Sequence, residues 1–242
     1  MLVGSSLSGA PAAFRTSEGS APIGYEIDLV TALGRVLGVD TEIVPAAPGD
    51  LIPGLGSSFD IAISSVEITP DRQRQANLFT YITIGAMFGA PSAKKHELDP
   101  LDPEKLCGLR VGVLEKTRYH DDANAKATRC ASDNQPALTV VPHTTGPGLI
   151  AALVREEIDL AHTDSTLTQY AVIHSRGRIT PIGPVRDASP RGVAVAKNDP
   201  ELSEAIRRAL QHLMDSEDWR LIATGWGVEG SIITKAELNP LR

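Results

Sequence analysis

The sequence has few aromatic residues and no long apolar run. Phe, Trp and Tyr account for 4% of its 242 residues, which leaves little material for an aromatic sandwich around a ligand. No apolar stretch approaches the ~18 residues that a membrane-spanning helix needs. A secretory leader is not visible either, and the chain opens on a strand-like segment at Met1–Gly4. Because natural domains rarely begin so abruptly, we expect that a leader has been removed.

Sequence motifs for common catalytic chemistries are missing as well. The chain has no phosphate-binding GxxxxGK[ST] loop and no Ser, His and Asp in the order of a known hydrolase triad. Its six histidines do not cluster near the cysteines, which argues against a zinc site. The sequence therefore predicts no catalytic residue, no metal and no cofactor.

The charge of the chain is acidic and evenly distributed. Charged residues make up 22% of the sequence, and the formal net charge is −7. Because both signs are interspersed, neither nucleic acid nor an anionic membrane surface is expected as the main partner. Solubility is the simpler interpretation of this charge, and we expect a monomer.

The two cysteines, Cys107 and Cys130, leave two alternatives: a pair of buried thiols or one disulfide bond. Cys107 immediately precedes the predicted strand Arg110–Leu114, and Cys130 ends the helical segment that follows. A helix that packs back on its strand brings these two ends together, which favours the disulfide. Such a bond would contribute roughly 3 kcal/mol through loop closure and would indicate an oxidising compartment.

Short apolar runs alternate with segments of helical period along the whole chain. The predicted strands are Leu2–Leu7, Thr41–Pro45, Asp60–Ser64, Ala86–Pro91, Arg110–Leu114, Leu138–Pro142, Ile158–His162 and Gly192–Ala196. The predicted helices include Tyr25–Leu37, which Gly38 ends, and three that open at Thr145, Asp199 and Ser216. This alternation predicts an α/β fold of mainly parallel sheets covered by helices.

Two stretches, Gly85–Lys94 and Gly183–Arg191, have the pattern of crossovers between domains. If both are hinge strands, the middle of the chain is an insertion. Lobe 1 would then combine residues 1–86 and 191–242, and lobe 2 would hold residues 88–188. A ligand would bind in the cleft, at strand carboxyl ends and helix amino ends.

Seven short segments occur together in a recognisable order. They are Gly24–Leu29, Leu51–Leu55, Asp60–Ser65, Ile68–Arg72, Gly108–Val113, Ile158–Asp164 and Arg191–Lys197. Through these segments the chain resembles, over nearly its whole length, the amino-acid-type extracellular solute-binding proteins of ABC importers (family 3). The resemblance implies a two-lobed fold of the type II periplasmic-binding-protein class, in which two hinge strands join the lobes. Some members of this family also carry a cysteine pair placed as Cys107 and Cys130 are.

The function that the resemblance implies is capture of a small, charged, amino-acid-like molecule without chemistry. An ABC permease in the membrane would be the partner that receives the molecule. The protein would work in the periplasm or another extracytoplasmic space, with or without a lipid anchor.

Arg72 is the first candidate for a ligand-binding residue. Thr69 is predicted to cap a short helix, so Arg72 falls in its first turn, where the helix dipole disfavours a cation unless an anion is near. In the family this arginine grips the α-carboxylate of the ligand, for which a planar guanidinium is well suited. The alternative is a surface arginine paired with Glu67 or Asp71.

Four further positions follow from the resemblance. Ser64 and Ser65 end a buried strand and would offer backbone and hydroxyl groups to the ligand, unless they only satisfy the strand end. Asp164 would accept hydrogen bonds from the ligand's ammonium group, and a role as helix cap is compatible with this. Thr117 would present amide and hydroxyl groups to the carboxylate.

Other positions depart from the family pattern. Glu67 stands where a small hydroxyl residue is common, and it either pairs with Arg72 or faces a cationic group of an unusual ligand. Arg118 replaces a second threonine and either contacts an anion or is solvated. In the first loop only Phe14 could stack on the ligand, with Tyr25 as an alternative wall.

Two other functions are compatible with the same scaffold. An enzyme resembling cyclohexadienyl dehydratase would need a general acid, for which Glu67, Glu115 and His162 are candidates. A ligand-sensing receptor domain would need transmembrane segments in the full-length gene. The missing catalytic motifs argue against the enzyme, and the missing transmembrane segments argue against the receptor domain, so the binding protein is favoured.

Overall fold

A computed structural model describes residues 1–98, 102 and 106–240 of the chain. Within this part, the strands are β1 (Leu2–Ser5), β2 (Glu42–Pro45), β3 (Ile61–Glu67), β4 (Ala76–Pro91), β5 (Arg110–Leu114), β6 (Thr139–His143), β7 (Leu160–Asp164) and β8 (Ile179–Ala196). The helices are α1 (Tyr25–Leu37), α2 (Pro70–Gln75), α3 (Lys95–Leu98), α4 (Arg118–Ser132), α5 (Gly146–Val154), α6 (Ser165–His174), α7 (Pro200–Asp215) and α8 (Asp218–Gly225). The predicted α/β class is confirmed.

The chain divides into two compact units. Unit 1 comprises Met1–Ile84 and Ser189–Arg242, and unit 2 comprises Gly85–Ala188. Strand β4 begins in unit 1 and ends in unit 2, and β8 runs from unit 2 back into unit 1. The chain therefore changes unit twice, each time inside a continuous strand.

Unit 1 is built on four neighbouring strands in the order β2-β1-β3-β8. Strand β1 is parallel to β2 and to β3, whereas β8 is antiparallel to β3. Helix α1 forms because its apolar residues share one face, and it ends at Gly38, which adopts a left-handed conformation. It packs against α7 and α8, and Leu29, Leu33 and Trp219 fill the core at this contact.

Unit 2 repeats this plan with the strand order β4-β7-β5-β6. Strand β5 is parallel to β6 and β7, and β4 is antiparallel to β7. Adjacent residues of β7 belong to different apolar clusters. Leu160 packs with Val111 and Val113, whereas Ala161 packs with Leu149. Because successive strand residues point to opposite faces, both faces of this sheet are covered.

The predicted disulfide between Cys107 and Cys130 is present, with a Cα–Cα distance of 5.6 Å. It joins the residues just before β5 to the last turn of α4. As the sequence pattern indicated, the helix packs back on its strand and brings the two cysteines together.

Strands β4 and β8 are longer than predicted. The predicted strand Ala86–Pro91 is only the second part of β4, which begins at Ala76. Gly85 lies inside β4, and a β-carbon there would meet the carbonyl oxygen of Arg186 at 2.3 Å, which explains why glycine occupies the position. Only the end of β8, Gly192–Ala196, was predicted as a strand. The prolines at 181, 184 and 190 argued against a strand before it, since proline is rare inside sheets. The last helix begins at Asp218 instead of Ser216.

None of the helices in the described residues combines the length and the apolar character that crossing a bilayer requires.

Candidate functional site

The end of β3 is held by a buried carboxylate that sequence reasoning did not single out. Glu26, which is 1% exposed, accepts hydrogen bonds on Oε1 from the Ser65 amide at 2.7 Å and the Ser65 hydroxyl at 2.8 Å. The Tyr81 hydroxyl donates to the same oxygen at 2.5 Å. Ser65 itself is left-handed, with φ of 47°, a conformation that costs a residue other than glycine of order 1 kcal/mol. The two hydrogen bonds from Ser65 to Glu26 offset this cost and fix the Ser65 backbone, and the bond from Tyr81 holds the Glu26 carboxylate in place.

The environment of Glu26 favours its neutral form. Burial raises the pKa of Glu26, and its hydrogen bonds from Tyr81 and Ser65 act in the opposite direction. Its second oxygen, Oε2, is buried and has no hydrogen-bond partner among the described residues. Burial together with the nearby Glu26 also raises the pKa of Tyr81 well above its usual range. Glu26 was detectable from the sequence only as a charged residue on the buried face of α1.

Ser64 and the two aromatic candidates of unit 1 have local partners. The Ser64 hydroxyl accepts a hydrogen bond from the Ser6 amide at 3.2 Å and contacts the Ser6 hydroxyl. Tyr25 has no exposed surface, and its hydroxyl lies 3.4 Å from the Ser65 hydroxyl. The Phe14 ring packs edge-on against Trp226, with ring centroids 6.0 Å apart. Tyr25 therefore contacts Ser65 directly, Ser64 is engaged with Ser6, and Phe14 packs against the residue that follows α8.

Arg72 lies in the first turn of α2, as predicted. The Thr69 hydroxyl caps this helix by accepting from the Arg72 amide at 3.3 Å. The half-buried Arg72 guanidinium donates through Nη1 to the main-chain oxygen of Glu67 at 3.0 Å. A guanidinium has five N–H groups, so this bond leaves donors for a further acceptor.

The Glu67 carboxylate has partners that the sequence analysis did not consider. Glu67 lies directly opposite Arg191 in the β3–β8 pairing, and its Oε1 is 3.2 Å from Arg191 Nη1. The buried Ser189 hydroxyl donates to the same oxygen at 3.0 Å and accepts from Arg191 at 2.7 Å. Arg191 appeared in a family landmark, but no sequence signal pointed to its pairing with Glu67.

Asp164 caps α6 in unit 2, as the sequence predicted. Its Oδ1 accepts hydrogen bonds from the Leu167 amide at 2.8 Å and from the Thr166 hydroxyl at 2.6 Å. The side chain is half-buried. Because an ionised carboxylate can accept several hydrogen bonds, these contacts are compatible with further donors.

Thr117 and Arg118 stand at the start of α4. The Thr117 hydroxyl donates to the Leu114 carbonyl at 2.7 Å and so secures the turn between β5 and the helix. The exposed Arg118 guanidinium lies 5.0 Å from the ring centroid of Tyr119 and donates to its hydroxyl at 3.3 Å. This stacking on an aromatic ring holds the cation near the β5–α4 turn.

An aromatic cluster around His162 lies beneath the start of α4. The His162 ring stacks on Phe88, with centroids 4.4 Å apart, and meets the Tyr119 ring at 5.1 Å. A cavity of about 410 Å³ within unit 2 is lined by Phe88, His162 and Arg186 among others. Burial, followed by the charges of Arg118 and Arg186, lowers the pKa of His162 to about 4. His162 is therefore uncharged at neutral pH.

The described residues contain no cluster of three or more His, Cys, Asp or Glu side chains suited to a metal ion. The polar groups identified above are instead carboxylates, hydroxyls and guanidinium groups at strand ends and helix starts. Such groups recognise charged small molecules by hydrogen bonding.

One protein-family profile matches nearly the whole chain, including the segments that carry these polar groups. The profile described as "Bacterial extracellular solute-binding proteins, family 3" matches residues 1–229. The chain belongs to this family. The sequence-based recognition is thereby confirmed, together with the function that defines the family, solute binding.

Several known proteins are similar to this chain in sequence or in fold. The arginine-binding protein ArgT of Corynebacterium glutamicum is 27% identical over 231 residues, which cover 95% of this chain and 74% of that protein. A mutant of arginine-bound ArgBP from T. maritima has 25% identity and a TM-score of 0.59, covering 88% of this chain and 95% of that one. The substrate-binding protein of a polar amino acid ABC uptake transporter from Streptococcus thermophilus has a TM-score of 0.77 at 18% identity, covering 96% and 87%. The predicted periplasmic-binding-protein-like fold is confirmed.

Proposed function

We propose that this family 3 solute-binding protein captures an amino acid outside the cytoplasm and delivers it, chemically unchanged, to an ABC permease. The observation that carries the proposal is the family match over residues 1–229. The name of the C. glutamicum relative makes arginine the first amino acid to test. The disulfide between Cys107 and Cys130 supports an oxidising, extracytoplasmic location.

We assign the two compact units to the two lobes of this family. In this proposal lobe 1 consists of residues 1–86 and 191–242, and lobe 2 of residues 88–188. The unit boundaries at residues 84/85 and 188/189 lie within three residues of these limits. Each lobe would contribute its own set of ligand contacts.

Unit 1 would bind the α-carboxylate of the amino acid. Arg72 carries the charge for this contact, because its guanidinium has donors beyond the one that Glu67 accepts. Ser65 would contribute to the site as a hydrogen-bond acceptor at the fixed end of β3, because its amide and hydroxyl hydrogens are already donated to Glu26. By the family resemblance Thr117 would also face a ligand carboxylate, and its main-chain amide would be the donor, because its hydroxyl already donates to the Leu114 carbonyl.

Unit 2 would bind the α-ammonium group through Asp164. Thr166 and Leu167 orient its carboxylate through Oδ1, which holds the side chain in one position before ligand arrives. Preorganisation of this kind lowers the ordering cost of binding.

A thermal-shift screen of the twenty amino acids, followed by calorimetry, tests the function. We expect L-arginine or another amino acid to raise the melting temperature, because a ligand that binds only the folded protein stabilises it by mass action. The absence of any shift with all twenty amino acids would contradict the proposal.

Arg72→Gln tests the carboxylate site. We expect this variant to bind the same amino acid at least 100-fold more weakly, because a charge-assisted, two-pronged contact is lost. Arg208→Gln is the control, since Arg208 is an exposed arginine of the same unit that pairs with Glu204 on α7 at 2.6 Å. Unchanged affinity in Arg72→Gln, measured by calorimetry, would remove Arg72 from the site.

Asp164→Asn tests the ammonium site. Asn also caps helices well, so the stability should hold while the negative charge disappears. We expect at least tenfold weaker binding, and no such change in Asp199→Asn, which replaces the equivalent cap of α7 in unit 1. Equal effects of the two substitutions on affinity would show that Asp164 acts only as a cap.

The proposal includes the absence of catalysis. His162 is a poor general acid at neutral pH, since its pKa is lowered to about 4 and little of it carries a proton to donate. Glu67 is engaged by Arg191 and Ser189. Incubation of the protein with prephenate or arogenate should give no aromatic product, and product formation at the rate of an enzyme would overturn this part of the proposal.

A further inference from the structure

The ends of β3 and β8 form an ion-pair cluster that depends on Arg191. Glu67 and Arg191 are direct cross-strand partners, a position at which opposite charges stabilise a sheet. The Arg191 side chain is 11% exposed and the Glu67 side chain 40%. Ser189 bridges the two by donating to Glu67 and accepting from Arg191. The carboxylate is thus directed toward β8.

The charges around Arg72 are matched in pairs. Glu67 pairs with Arg191 at 3.2 Å, and Asp71 pairs with Arg74 at 2.7 Å. Arg72 contacts Glu67 through the main-chain oxygen, which carries no formal charge. With two carboxylates and three arginines, this group has a net charge of +1. The surplus positive charge suits a ligand that carries a carboxylate.

Glu67 would compete for Arg72 if it were not held by Arg191. The Arg72 guanidinium already reaches the Glu67 main chain at 3.0 Å, so the carboxylate of the same residue needs only a change of rotamer to approach it. Opposite charges this close near a protein surface attract each other, so a Glu67 carboxylate beside Arg72 would occupy the donors that a ligand carboxylate needs. An unrestrained Glu67 would therefore both neutralise Arg72 and repel a ligand carboxylate.

We propose that Arg191 is a positioning residue of the ligand site, which holds the Glu67 carboxylate on β8 and thereby keeps the Arg72 guanidinium available to the carboxylate of an amino acid. This inference rests on the proposed role of Arg72 in ligand binding. It explains how a glutamate can occupy a position where the family commonly has a small hydroxyl residue. It also makes Glu67 a neutralised part of the site and not a contact for a cationic ligand group.

Removal and restoration of charge test this role with L-arginine as the probe. We expect Arg191→Gln to weaken L-arginine binding 10- to 100-fold in calorimetry, because Glu67 is then free to approach Arg72. The double variant Arg191→Gln/Glu67→Gln should recover affinity to within about threefold of the wild type, since the competing charge is gone. A merely structural role of Arg191 predicts no recovery in the double variant, and that result would overturn the inference.

A second measurement does not require any ligand. The ¹⁵Nε NMR signal of Arg72 should shift in Arg191→Gln and return toward its original position in the double variant. Arg207→Gln, which breaks the Arg207–Glu204 pair of α7, serves as the control and should leave the signal in place. An unshifted Arg72 signal in Arg191→Gln would overturn the inference even if another amino acid proves to be the ligand. A shifted signal together with no amino acid binding would instead contradict the proposed function alone.

Discussion

At the scale of single residues, local sequence was informative where a side chain acts on its own neighbours. Thr69 and Asp164 were predictable as helix caps, because a cap accepts from an amide three residues ahead. Glu26 was not, since its partner Ser65 is 39 positions away in sequence. Arg191 was missed for the same reason: strand pairing brings it to Glu67. The candidate site could thus be predicted at its caps and not in its supporting contacts.

His162 should make the stability of the protein depend on pH. Its pKa is about 4 in the folded chain against 6.5 for an unperturbed histidine, so the unfolded state binds more protons between these values. The contribution of His162 to the free energy of unfolding should therefore be complete above pH 6.5 and fall by roughly 3 kcal/mol as the pH drops toward 4.

Urea denaturation of His162→Gln at several pH values checks this expectation. The difference between wild type and variant should change with pH in the stated window. Because the pKa of Glu26 is raised, its contribution to the free energy of unfolding falls as the pH rises, opposite to that of His162. Wild type and variant both contain Glu26, so its contribution cancels in the difference. A pH-independent difference would mean that His162 is protonated as readily in the folded state as in the unfolded one.

At the scale of secondary-structure elements, the sequence located the strand centres and helix starts but not the two long strands. The boundaries of α1 and β5 were predicted as observed, because glycine and apolar periodicity act locally. Strands β4 and β8 were only partly predicted, since Gly85 and the prolines of β8 are typical of loops. Their strand conformation comes from neighbours that are distant in sequence.

Two equivalent helix caps should differ in their effect on ligand binding. Thr69 caps α2, which carries Arg72, and Thr145 caps α5 in unit 2 by accepting from the Gly148 amide at 3.2 Å. Thr69→Ala and Thr145→Ala should each lower the free energy of unfolding by about 1 kcal/mol. Only Thr69→Ala should also weaken amino acid binding, by about 3- to 10-fold, because the backbone that carries Arg72 loosens.

Denaturant titration and calorimetry on the two variants provide the comparison. If Thr145→Ala lowered affinity as much as Thr69→Ala, the loss would reflect general destabilisation, and the cap of α2 would have no specific part in positioning Arg72.

At the scale of the whole molecule, the chain consists of two units that each have their own apolar core. The alternation of strands and helices predicted this class of fold, and the family landmarks predicted its topology. Both cysteines belong to unit 2, whereas both tryptophans, Trp219 and Trp226, belong to unit 1. Tryptophan fluorescence therefore reports on unit 1, and far-ultraviolet circular dichroism reports on both units.

Reduction of the disulfide should destabilise unit 2. The bond closes a loop with a sequence separation of 23 residues, so its loss should lower the free energy of unfolding by about 3 kcal/mol. We expect the urea midpoint followed by circular dichroism to fall after reduction and to fall equally in Cys107→Ser/Cys130→Ser without reductant. A midpoint that is insensitive to both changes would show that α4 is held by packing alone.

The position of Gly85 next to the other end of unit 2 has a practical consequence for dissecting the molecule. A β-carbon at Gly85 would lie 3.0 Å from the Ala188 α-carbon, so the two ends of the inserted segment meet. A gene in which Ile84 is spliced to Ser189 through a short glycine-serine bridge would therefore encode unit 1 as one uninterrupted polypeptide. Such a minimised half-protein would retain Arg72, Glu67 and Arg191, and so would let carboxylate recognition be studied apart from the other half.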